Sequence, residues 1–78
     1  MTVIGEIDHP AMKITLFQWN GKYIVKFEHG PLEQTFKFSE FDVVDEGDLR
    51  SLINDSFCER VLHRFEEMGQ DLLKLTDN

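Results

Sequence analysis

The sequence predicts an α+β domain: a three-stranded antiparallel β-meander, with a fourth strand as an option, covered on one face by a C-terminal helix. Three observations predict it. Asn20-Gly21 and Gly30-Pro31 punctuate three β-rich runs, and an apolar stripe at helical spacing starts at Phe57.

Asn-Gly between β-rich runs signals a two-residue type I′ turn, because both central residues need positive φ. That turn sets Trp19 opposite Lys22 and puts Met12, Ile14, Leu16 and Gln18 on one face with Tyr23, Val25, Phe27 and His29. Lys13, Thr15, Phe17 and Trp19 share the other face with Lys22, Ile24, Lys26 and Glu28. The first set is the core face, and a one-residue slip would mix the two sets. Pro31 cannot donate a ladder hydrogen bond, so a strand break belongs at Gly30-Pro31. Pairing His29 with Leu32 then adds Leu32, Gln34, Phe36 and Phe38 to the core face and sends Glu33, Thr35, Lys37 and Ser39 outwards.

The C-terminal third supplies the cover. Ser56 followed by Glu59 fits a capping box. After it, Phe57, Val61, Phe65 and Met68 recur at helical spacing with Cys58 and Leu62 beside them. The helix ends at Gly69, or its stripe runs on through Leu72 and Leu75. Leu49, Leu52 and Ile53 form a short helical turn, broken or bent near Asn54-Asp55, or else the start of one bent helix, with Asp48 expected as its N-cap. Phe41, Val43 and Val44 form either a short fourth strand or a crossing segment; Val3, Ile4 and Ile7 add an edge strand or fold over the sheet.

Seventy-eight residues make one domain, 1–78, with the sheet at about 12–39, a connecting segment at about 40–47 and a helical part at about 48–75. The single cysteine rules out an internal disulfide framework. No signal peptide or membrane-spanning run is present, so a cytoplasmic protein is expected. The net charge of −7 argues against nucleic-acid or anionic-membrane binding by the whole molecule. The charge is uneven: residues 10–39 hold four lysines against two glutamates, and residues 40–78 hold four basic residues against eleven acids.

No catalytic, cofactor or metal site is expected. The acidic stretch from Asp42 to Asp48 lacks the alternation of a calcium loop and reads as a turn with a cap. Cys58 reads as a small apolar thiol beside the core, because His63, five residues on, lies far round the helix. His9, His29 and His63 share no metal-ligand spacing; His63 is expected to sit beside Glu59 on the solvent side of the helix.

The candidate surface is the outer sheet face: Phe17, Trp19 and Ile24, with Lys22, Lys26 and Lys37 around them and Lys13 on the same side. Aromatic side chains bury roughly 150–250 Å² each, so this patch is expected to expose on the order of 400 Å². Three coverings compete. The N-terminal segment folds over it; a second copy meets it patch to patch; or another molecule binds there. The expected function is a non-enzymatic protein–protein interaction or self-association module. The alternative is weak single-stranded nucleic-acid binding, with aromatic rings stacking on bases and lysines meeting phosphates.

Overall fold

The computed structural model describes residues 1–76 and is α+β. Four antiparallel strands, β1 (Thr2–Ile7), β2 (Lys13–Trp19), β3 (Lys22–His29) and β4 (Leu32–Ser39), lie in sequence order. Two helices follow, α1 (Glu46–Leu52) and α2 (Asp55–Thr76).

The central register is the one the turns dictate. Trp19 pairs with Lys22 and Phe17 with Ile24; across the next hairpin His29 pairs with Leu32 and Ile24 with Lys37. Asn20 and Gly21 take φ of 50° and 71°, which a type I′ turn requires. Gly30 has φ of 58°, the positive value that the first position of a II′ turn favours, ahead of a proline pre-set to negative φ.

The fourth strand comes from the N-terminus. Residues 41–44 form no strand: Phe41 and Val44 are exposed, and Val43 alone enters the core as the chain crosses from β4 to α1. Nor does the N-terminal segment fold over the outer face. Thr2–Ile7 pairs with β2 as an edge strand, with a bulge between Val3 and Gly5. The bulge lets Ile4 and Ile7 both pack on the core while Val3 joins the outer face.

The core lies between the inner sheet face and the helices. Phe27, Ile14, Leu16, Val25, Leu49, Val43 and Val61 are its largest fully buried side chains. Phe57 packs against Phe36 and Phe27 at ring separations of 5.2 and 5.9 Å. Truncating a ring such as Phe27 would cost about 3–5 kcal/mol. Gln34 is the one polar side chain of β4 on this face. Its Nε2 donates to the Val61 carbonyl at 2.9 Å, tying strand to helix.

Both helix caps differ from expectation. Asp45, not Asp48, caps α1: its carboxylate accepts from the Asp48 backbone N–H at 2.8 Å, while Asp48 reaches back to the Val44 N–H at 3.1 Å. Asn54, not Ser56, caps α2, accepting from the Phe57 N–H at 2.9 Å. In each case two cap-forming residues lie within three positions of each other, and the one immediately before the first helical residue caps. The break between the helices falls at Ile53 and Asn54, near its expected place.

Gly69 does not end α2. At about 1.5 Å per residue its 22 residues span about 33 Å, longer than an eight-residue strand at about 27 Å. The helix therefore outruns the sheet, and Leu72, Leu73 and Leu75 are exposed beyond it. No helix among the described residues is long and apolar enough to cross a membrane.

Candidate interaction surface

The outer face sorts its residues into cross-strand rows. At one end Trp19 pairs with Lys22, and Lys22 with Ser39. The next row runs Val3, Phe17, Ile24, Lys37 across all four strands. Below it come Glu6, Thr15, Lys26 and Thr35, and the last row is Lys13, Glu28 and Glu33. The apolar side chains, Lys22 and Lys37 thus share one end, while all three glutamates, with Lys26 and Lys13 among them, gather towards the other. Neither helix packs on this side.

The exposures revise the expected patch. Trp19 is 49% exposed and Val3 58%, whereas Ile24 is only 5% exposed and Phe17 is half-buried. Ile24 sits on an inner strand between Phe17 and Lys37, so cross-strand neighbours flank it on both sides. The apolar surface that remains is a strip led by Trp19 and Val3, narrower than the triad of Phe17, Trp19 and Ile24 implied. Val3 is a member that sequence reasoning did not place there. Its alternation with Ile4 and Ile7 is broken by the bulge, which hides the outward position.

The lysines differ in their surroundings. Lys26 Nζ stands 5.9 Å above the Phe17 ring centre and 3.8 Å from Glu33. Lys22 and Lys37 make no ion pair among the described residues and sit beside the apolar strip. At the sheet end, Gln18 Nε2 donates to Glu40 at 2.6 Å, and the Glu40 N–H donates to the Gly21 carbonyl at 3.1 Å, which fastens the chain leaving β4 to the first hairpin.

The titratable groups elsewhere do not converge. Cys58 is buried, and that burial pushes its thiol above the ordinary value of 9.0, with the Asp55 carboxylate adding to the rise. Such a thiol is a poor nucleophile at neutral pH. His63 faces Glu67 at 3.4 Å rather than Glu59, forming an exposed contact one turn onwards. His29 Nδ1 donates to the Ala11 carbonyl at 2.7 Å, and its ring lies 5.7 Å from Phe65, so it closes one end of the core. Among the described residues no three His, Cys, Asp or Glu side chains gather as metal ligands would.

No family model, no curated protein and no solved structure matches the chain. The reading of its role therefore rests on the surface alone.

Proposed function

We propose that this protein is a non-enzymatic interaction module that takes a protein partner on its outer sheet face. One observation carries the reading: that face has no helix over it, and it holds a half-exposed tryptophan beside an exposed valine. Tryptophan is enriched among the residues that dominate binding energy, and apolar patches left on small domains are often functional. The rim of Lys22, Lys26 and Lys37 selects a partner with acidic residues around an apolar anchor.

A patch-to-patch form of self-association has two arguments against it. Burial of Ile24 narrows the strip, and a second copy would bring lysine towards lysine. The nucleic-acid alternative has less behind it than the protein reading. Lys26 is drawn to Glu33 and Phe17, which thins an electrostatic footprint of four lysines further.

The test compares three baits held through the C-terminus: wild type, Trp19→Ser, and Leu73→Ser as a control on the far side. Proteins captured by wild type and Leu73→Ser but lost with Trp19→Ser support the reading. Identical capture by all three baits, or Trp19 fluorescence quenched by short oligonucleotides in a salt-sensitive way, overturns it.

A further inference from the structure

The two edges of the sheet are treated differently. β1 carries a bulge, and Arg50 from α1 donates through Nη1 to the Glu6 carbonyl at 2.9 Å while its Nε holds Glu46 at 3.0 Å. An outward backbone group of that edge is therefore occupied, and the edge is bent. β4 has neither device. It is eight residues long and pairs with β3 without interruption, and among the described residues the following loop reaches its outer backbone only at the last residue, where the Ser39 carbonyl accepts from the Asp42 and Val43 N–H groups at 3.0 and 3.2 Å.

Which groups point outwards follows from the hairpin. The pair that closes a two-residue turn, His29 with Leu32, is hydrogen-bonded, and bonded pairs alternate along an antiparallel ladder. Leu32, Gln34, Phe36 and Phe38 spend their backbone groups on β3. Glu33, Thr35 and Lys37 turn theirs to the open edge, whereas the Ser39 carbonyl is taken by the turn that follows.

We propose that β4 pairs antiparallel with β4 of a second copy, about a two-fold axis through Thr35, joining two sheets into one of eight strands. Charge selects that register. With Thr35 opposite Thr35, Glu33 of each copy lies across from Lys37 of the other, so both ends of the joint carry opposite charges. Centring the axis on Glu33 or on Lys37 instead sets like charges face to face. Intermediate registers leave both groups without an opposite charge. The favoured register also brings the outward backbone groups of Glu33, Thr35 and Lys37 together as bonded pairs.

Two further features fit. Glu33 stands directly opposite Glu28 within its own sheet, so a lysine arriving on its other side relieves a like-charge pair. On the inner face the same register sets Leu32 of one copy beside Phe38 of the other. α2 runs past that end of β4: Gly69 lies against Leu32, and the exposed Leu72, Leu73 and Leu75 follow. Phe41, wholly exposed two residues after β4, belongs to the incoming copy's end of the joint. These side chains add apolar area that a strand pair alone would lack, as a stable interface needs at least about 1,200 Å² in total.

This joint leaves the outer-face strip of Trp19 and Val3 open, so it stands or falls separately from the proposed partner site. Solution mass is measured by light scattering, up to millimolar protein, on four chains. Wild type is expected to dimerise with rising concentration, Lys37→Glu to stay monomeric, the Glu33→Lys/Lys37→Glu double variant to dimerise again, and Trp19→Ser to dimerise like wild type. A monomeric wild type overturns the proposal, as does a double variant no more dimeric than Lys37→Glu. Loss of dimer in Trp19→Ser overturns it too, moving the joint to the outer face. Far-ultraviolet circular dichroism of each chain separates a lost joint from a lost fold.

Discussion

β1 and β4 are both edge strands of one four-stranded sheet, yet only one of them is closed. β1 is closed by a bulge and by an arginine reaching across from a helix more than forty residues later in the chain. β4 is left open on its outer side from Glu33 to Lys37, with only the Ser39 carbonyl taken by the loop that follows, although α2 packs on its inner face through Phe57, Val61 and Met68. An exposed strand edge is a template for another strand, and proteins usually blunt it with charge, bulges or a cover. Here the charges on β4, Glu33 and Lys37, blunt the edge against arbitrary strands while matching a copy of themselves. The contrast teaches that an edge can be guarded by exclusion or by selection.

The largest expected effect comes from removing the room that closes β1. A side chain on Gly5 meets the movable end of the Arg50 guanidinium, so Gly5→Val should displace the clamp and cost about 1–1.5 kcal/mol, that of its lost hydrogen bonds, read by urea denaturation. A midpoint equal to wild type would mean that Arg50 is not what seats this strand. Next comes Arg50→Ala, expected to cost about 1 kcal/mol. The Glu6 carbonyl loses a charged donor there, while the exposed Glu46 pair contributes little. Amides of β1 should then exchange faster than those of β2. Uniform protection across both strands would show that the bulge alone closes the edge.

On the β4 side the expected stability change is smaller still. Thr35→Pro removes an N–H that points away from β3, so the monomer should lose less than about 1 kcal/mol, whereas pairing between copies should fail. A large loss of monomer stability would show that the outward assignment of Thr35 is wrong. Cys58 supplies a reference that neither edge should move. Its raised thiol pKa means the folded chain keeps the proton where the unfolded chain loses it. That contribution is intact below the ordinary value of 9.0 and is lost as pH rises through and beyond it. Denaturation at pH 8 and pH 10 should show a steeper alkaline loss for wild type than for Cys58→Ala, and equal slopes would refute the burial argument.

What the sequence determined by itself was everything decided over a few residues. Asn20-Gly21 and Gly30-Pro31 demand particular φ values, and side chains alternate strictly along a strand. Two turns therefore specified three strands, their register and the buried side. Phe57, Val61, Phe65 and Met68 specified the helix that covers it, because 3.6-residue periodicity survives any packing. Tertiary structure decided the rest. β1 was ambiguous because its bulge breaks the alternation of Val3, Ile4 and Ile7, and its partner is chosen by free space beside β2. Ile24 was expected on the surface, but burial depends on how cross-strand neighbours flank it, which a face assignment does not contain. Asp45 displaced Asp48 and Asn54 displaced Ser56 as caps because helix starts are settled by where the preceding chain must leave the core. The asymmetry of the two edges was least legible of all, since it turns on Arg50 meeting Glu6, a contact between residues far apart in the chain that only the folded arrangement brings within hydrogen-bond reach.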